Sequence, residues 1–278
     1  MWRVKTHVTR QATSRNPSHL NSTRDKFGSR SRRFVQILQS RMESLILLWL
    51  FVFGGATALR IGLAPLPIRS TTDLAQMLLL YGVIALAPIA GYRLAMTACP
   101  ANPLPEPTRI RFALFGRWRQ LDLLDARKHP AFGPFGIMAS LLVGLLLNVP
   151  VRSAEFLFAV PAMNHDSPNW AMTILYMMAF DAVTMNFVYA VCFVMALRSI
   201  PLFPRTLLFA WALDLLLQVT IAHQVAEAAN LPAPVAYALG ELLSDNVTKV
   251  LISVAIWVPY LLLSERVNVT YRSRISAD

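Results

Sequence analysis

Two aspartates, Asp181 and Asp214, stand inside long apolar runs at residues 170–197 and 206–226. An unpaired charge at the centre of a membrane helix costs on the order of 2.5–3.5 kcal/mol on the insertion scale. Each carboxyl must therefore be protonated, paired or turned toward a wet cavity. Carboxyls held in this way can take up and release protons, and two that face each other share one. Asn186 and Gln218 lie in the same runs and extend a candidate proton or substrate pathway to four residues: Asp181, Asn186, Asp214 and Gln218.

A second polar set lies nearer the ends of other runs. Arg152 and Glu155 are one turn apart, while Glu241, Asp245, Lys249, Ser253 and Trp257 recur every fourth residue. That spacing keeps them on one slowly drifting helix face, and the acids precede the lysine in the favourable i,i+4 order. The expectation is that this face looks into a helix bundle and forms ion pairs there, with Arg152 close to Asp245 or Glu241. His223 and Glu227 are also four apart. The plainer reading of all these groups is that they hold helices together, each contact worth about 0.6 kcal/mol on average.

Other chemistry finds little footing. There is no His-Glu-x-x-His, no Gly-x-Ser-x-Gly and no Gly-rich phosphate loop. One His beside one Glu, with no second His or Cys at ligand spacing, makes a poor metal site. Met138, Met163, Met172, Met177, Met178, Met185 and Met195 fit adaptable packing better than copper ligation. No catalytic residue, metal ligand or cofactor is therefore assigned.

The elements that position these residues follow from hydropathy. The chain is 55% hydrophobic and 15% charged, with mean hydropathy +0.48, too apolar for an ordinary soluble domain. Residues 246–263 carry one charge, Lys249. Eighteen residues of helix span about 27 Å, close to the hydrocarbon thickness of a bilayer. The run lacks strict alternation, so it reads as helix rather than strand. Trp257 and Tyr260 lie toward one end, as interfacial aromatics do, and Pro259 is expected to loosen the last turn. Five further spans are expected, at about 44–63, 74–95, 134–158, 170–197 and 206–226. Pro88 and Gly91 are expected to bend the second, and a short helical lead-in follows Pro232 and Pro234 before the last. The expected fold class is an all-α membrane protein of six transmembrane helices. Cys99 and Cys192 are no disulfide framework.

Lys and Arg in the connections set the orientation. Residues 1–41 hold ten, the connection at 93–133 seven, the turn at 198–205 two, and the C-terminal tail three. The opposite side has only Arg60 and Arg69, in the first connection. The positive-inside rule then puts both termini and the long connection in the cytoplasm. Six spans return the chain to its starting side, so count and charge agree. With this orientation Asp214 lies roughly 13 Å above the inner end of its span and Asp181 roughly 17 Å below the outer end of its own. In a core of about 30 Å these are the same level.

The net charge of +11 belongs mostly to residues 1–41, so it does not indicate a nucleic-acid-binding fold. Residues 99–133 open with Pro100, Pro103, Pro105 and Pro107. They continue with Arg109, Arg111, Arg117, Arg119, Arg127 and Lys128 among Phe112, Phe115, Trp118, Leu121 and Leu124. This fits a connector resting on the lipid surface, with docking of a membrane-protein partner as the sharper alternative. The lipid bilayer itself is the one partner expected throughout.

Near the C-terminus, Ile256-Trp257-Val258-Pro259-Tyr260, then Ser264-Glu265-Arg266-Val267, then Thr270-Tyr271 resembles the end of the last helix in YdgK-like proteins. That family is a domain of unknown function found in small four-span bacterial inner-membrane proteins. Its pattern usually has Lys where Glu265 stands and often Phe where Tyr271 stands. The resemblance extends over residues 134–274 and is strongest at 256–271. It implies a four-span membrane domain at 134–278 and a bacterial inner membrane, and it carries over no catalytic or binding residue. Residues 42–98 then form a two-span hairpin ahead of it.

Residues 1–41 are rich in Arg, Ser, Thr and Asn with Asp25 the sole acid, and are expected to be disordered. They fit a basic arm for anionic lipid, an organelle-targeting segment, or sequence upstream of a true start at Met42. The bacterial resemblance favours the last. Ala56-Thr57-Ala58 has the form of a signal cleavage site, but the leader before it is long for one. On sequence alone the leading reading is a structural or accessory multi-pass protein without chemistry of its own. A small proton-coupled transporter using Asp181 and Asp214 comes next, and a membrane-embedded enzyme third.

Overall fold

The computed structural model of the chain describes residues 30–64, 70–100 and 117–277. Six helices in it are long and apolar enough to cross a membrane. They are α2 (Met42–Gly62), α3 (Thr71–Ala98), α5 (Ile137–Ala159), α6 (Asn169–Leu197), α7 (Phe203–Glu227) and α8 (Ala233–Leu263). Shorter elements fill the ends: α1 at residues 30–40, then β1 (Trp118–Gln120), α4 (Leu123–Lys128), α9 (Glu265–Arg272) and β2 (Arg274–Ser276). Among the described residues the fold is all-α but for one two-stranded antiparallel ribbon, β1–β2, which pairs Trp118 with Ser276 and Gln120 with Arg274.

Helix α6 is the axis. It is apolar on every side, which suits a helix enclosed by others, and it is the most buried of the six. Helix α3 runs along it so closely that a methyl group on Gly91 would meet the Phe187 carbonyl oxygen at 2.5 Å. Only a residue without a side chain admits that approach. Helices α5 and α7 flank α6, while α2 and α8 lie outside and are the least buried. Trp49 Nε1 ties α2 to α3 by donating to the Ala85 carbonyl at 2.9 Å. Leu47 and Phe51 of α2, Leu79 of α3, and Leu251 and Ile256 of α8 are exposed. A continuous apolar exterior of this kind is stable only where lipid covers it.

Except at the start of α8, the span ends agree with the expected ones to within a few residues. Pro88, Pro150 and Pro259 lie inside helices that continue past them. The lead-in expected before the last span is continuous with it, giving a 31-residue α8. At about 1.5 Å per residue this is about 46 Å, so α8 tilts or projects beyond the hydrocarbon core.

One end of the bundle collects the basic segments. The Gly136 amide donates to Ser31 Oγ of α1 at 2.9 Å. Strand β1, from the long connection, pairs with β2 of the C-terminal tail. Tyr271 Oη of α9 donates to the Ala196 carbonyl at 2.9 Å, and Arg198 donates to the carbonyls of Met96 and Cys99. At this end burial, then the charges of Arg274 and Arg205, lower the Arg272 guanidinium to about 10, leaving it cationic at neutral pH. At the opposite end Asp73, in the first turn of α3, accepts from His165 Nδ1 at 2.9 Å and from its backbone amide at 3.3 Å.

Two expectations change. The stretch expected to be disordered ends in a helix, because Val35 and Leu38 of α1 are buried in the core beside Met42. The surface connector is partly structured, because its second half supplies β1 and α4 to a clasp with the C-terminal tail. Residues 1–29 and 101–116, with Arg109, Arg111, Phe112 and Phe115 of the candidate partner loop, lie outside the described residues.

Candidate functional site

Two apolar clusters fill the bundle. One, toward the basic end, includes Leu145, Met185, Tyr189, Ala210 and Trp211. The other, toward the opposite end, includes Phe156, Met178, Ala182 and Ile221. Where they meet, α5, α6 and α7 each contribute one charged residue, and the three converge. Arg152 Nη1 donates to Asp181 Oδ2 at 2.6 Å, and Arg152 Nη2 donates to both Asp214 oxygens at 2.7 Å. The side chains of Arg152, Asp181 and Asp214 are 9%, 6% and 0% exposed.

Neutral donors complete the arrangement. Tyr189 Oη donates to Asp214 Oδ2 at 2.8 Å, and Gln218 Nε2 donates to Asp181 Oδ1 at 3.3 Å. All four carboxylate oxygens are thus engaged. The result is a chain of contacts, Tyr189–Asp214–Arg152–Asp181–Gln218, reaching from one apolar cluster toward the other. One guanidinium faces two carboxylates, so with both ionised the centre carries a formal charge of −1. Arginine suits the position because its planar fork reaches two carboxylates at once and its charge is permanent.

Sequence placed Asp181 and Asp214 at one depth, and they are joined there, but through Arg152 rather than to each other. Arg152 is not beside Asp245 or Glu241, which are exposed on α8. It lies seven residues before the end of α5, about 10 Å inside it, and its side chain meets α6 and α7 instead. The stripe on α8 looks into the bundle only in part: Glu241, Asp245 and Lys249 are exposed, while Ser253 and Trp257 are half-buried. A polar stripe every fourth residue marks one face of a helix but not what that face meets, and α8 is peripheral. Lys249 still reaches Glu155 of α5 at 2.6 Å and Asn246 Oδ1 at 3.2 Å. Asn186 stands apart from the centre: its Nδ2 donates to Ser153 Oγ at 2.8 Å and cross-links α5 to α6. His223 and Glu227 are 3.4 Å apart on the exposed face of α7.

Sequence reasoning missed Tyr189. It lies eight residues after Asp181, on a related face of α6, and a tyrosine hydroxyl two turns from an intramembrane carboxyl was the available signal. Three buried polar atoms on α5, α6 and α7 have no partner: Arg152 Nε, Asn186 Oδ1 and Gln218 Oε1. Among the described residues no group of three His, Cys, Asp or Glu could hold a metal.

Gln218 also lines the inner end of a cleft of about 590 Å³ between α7 and α8. The cleft runs from the α7–α8 turn, at Ala228 and Leu231, down to the level of the charged centre. The chain matches no family model, no curated protein and no solved structure.

Proposed function

We propose that this multi-pass membrane protein is a proton-coupled carrier whose proton-binding centre is Asp181, Arg152 and Asp214. The observation that supports it is the charge count: two carboxylates share one guanidinium at the middle of the bundle. Intramembrane ionisable groups are expensive and typically mark ion or substrate pathways. Adding one proton to the centre brings its formal charge to zero. Arg152 holds the two carboxylates together, and Tyr189 and Gln218 are positioned to follow a change in protonation by reorienting. The protein resides in a bacterial inner membrane with its basic end toward the cytoplasm. This rests on the YdgK-like resemblance at residues 256–271 and on the charge asymmetry of the connections. In proteoliposomes carrying a pH-sensitive dye, an imposed potential should drive proton movement that Asp181→Asn abolishes while the protein remains folded. Equal dye response in the wild type, in Asp181→Asn and in empty vesicles refutes the carrier.

A structural or accessory role is the second reading. It is favoured by the engagement of all four carboxylate oxygens, which leaves the centre well satisfied as a clasp across α5, α6 and α7. That reading requires the Asp181→Asn, Asp214→Asn double variant to lose stability rather than transport.

A further inference from the structure

Three arginines meet at the basic end of the bundle. Arg272 Nη1 of α9 donates to Asn268 Oδ1 at 2.8 Å, and Arg274 Nε of β2 donates to the same oxygen at 2.8 Å. Two guanidiniums thus share one neutral amide oxygen. Arg205 joins them from the first turn of α7, whose Phe203 packs on Tyr271 of α9 with ring centroids 5.2 Å apart. Burial, then the charges of Arg274 and Arg205, lower Arg272 below its usual value. Arg272 Nη1 also donates to the Leu261 carbonyl at 2.9 Å, another neutral acceptor. The one acid of α9, Glu265, lies 3.8 Å from His129 instead. Arg272 therefore meets neutral oxygens and like charges, an arrangement that an anion relieves.

The trio stands at a membrane surface. Arg205 is the third residue of α7 and Leu261 the third from the end of α8, so both lie within about 5 Å of their helix ends. One turn along α7, on the same face as Arg205, Phe209 is 62% exposed. An acyl chain lying on Phe209 leads to a headgroup at Arg205. Arg274 is buried and stacks on the Trp118 ring at 4.9 Å, so its position is fixed before any ligand arrives. Guanidinium forks match phosphate oxygens, and basic pockets between membrane helices hold phosphate-bearing headgroups.

We infer that Arg205, Arg272 and Arg274 bind an anionic phosphate group, carried by a phospholipid whose acyl chains lie along α7 at Phe209. Free phosphate offers the same chemistry without the chains. The site does not depend on proton movement at Asp181 and Asp214.

The test titrates full-length protein in a neutral maltoside detergent with phosphatidylglycerol, with phosphatidylcholine of the same chains, or with inorganic phosphate. Phenylglyoxal modifies the arginines, and mass spectrometry reads the rate at each. Phosphatidylglycerol should slow modification of Arg272 at least about fivefold, while Arg119, exposed on β1 at the same end, changes little. Phosphatidylcholine should protect neither. Arg205→Gln should raise the half-protecting concentration about tenfold or more, the loss of one charge-assisted hydrogen bond. Protection by phosphatidylglycerol but not by inorganic phosphate identifies the lipid as the source; equal protection by both supports a phosphate site that soluble anions fill. Equal protection by phosphatidylcholine would overturn the inference, as would no protection by any of the three. So would protection of Arg119 as strong as that of Arg272, which would mean diffuse attraction to a basic surface, or protection unchanged in Arg205→Gln. If that variant does not fold, the three ligands and the Arg119 comparison on wild type decide the matter.

Discussion

Arg152→Met is the sharpest perturbation of the centre. It removes all three hydrogen bonds from the guanidinium to Asp181 and Asp214. Asp181 then keeps only Gln218, and Asp214 only Tyr189. Two buried carboxylates would remain on neighbouring helices with no cation between them. Removing one partner of a buried ion pair costs about 3–5 kcal/mol, whereas replacing the whole set by neutral groups of similar shape is often near neutral. Arg152→Met should therefore destabilise by about 3–5 kcal/mol, raising the open fraction on the order of 10²–10³-fold or more. The triple variant Arg152→Met, Asp181→Asn, Asp214→Asn should recover most of this loss. It removes every charge while keeping an acceptor for Tyr189 and for Gln218.

Cys192 supplies the assay. It is fully buried in the core beside Phe193 and Val194, so a fluorogenic maleimide reaches it only when the bundle opens. Cys99 is partly exposed and is replaced by Ser in the background. The labelling rate of purified protein in detergent then reports opening. If the single variant opens no more often than the parent, the guanidinium is not what holds the three helices. If the triple variant is as unstable as the single one, charge balance is not the reason.

Gly91→Ala would press a methyl group to 2.5 Å from the Phe187 carbonyl oxygen. Overpacking of this kind costs about 1–3 kcal/mol, so its thermal midpoint should fall. Gly82→Ala, which meets nothing within 4 Å, should match or exceed the parent. Asn268 is fully buried. It donates to the carbonyls of Leu262 and Ser264 at 3.1 and 3.0 Å and accepts from Arg272 and Arg274 at 2.8 Å. Asn268→Ala should cost about 1–3 kcal/mol through the partners left unsatisfied, and trypsin should then cut at Arg272 and Arg274 markedly faster. At the opposite end, the hydrogen bond that His165 donates to Asp73, then the charge of Asp166, raises the exposed His165 above its usual value. A raised histidine stabilises the fold fully below the unfolded value of about 6.5 and loses that contribution as pH rises through the folded value. Titrated by NMR, His165 should show a midpoint above about 6.5, and Asp73→Asn should lower it. An unchanged midpoint would show that the contact does not form in the membrane.

Sequence by itself determined the six spans, since about 20 apolar residues are needed to cross lipid and nothing else in the chain supplies such runs. It determined that the basic segments belong to one end, because an even number of crossings returns the chain to its starting side. It also placed Asp181 and Asp214 at one level, because the rise per residue of a helix is fixed. Depth is a one-dimensional quantity and can be counted along the chain. Which way a side chain faces, and which helix stands opposite, cannot be counted in the same way. Tertiary structure alone decided that Arg152 turns to α6 and α7, that Tyr189 joins the centre, and that Glu241 and Asp245 of the α8 stripe are exposed while Lys249 reaches Glu155. It alone paired β1 with β2, since three-residue strands so far apart in sequence leave no periodic trace. Each of these depends on how the helices are rotated about their axes and packed side by side, and that is set by the close approach of α3 at Gly91 and the enclosure of α6.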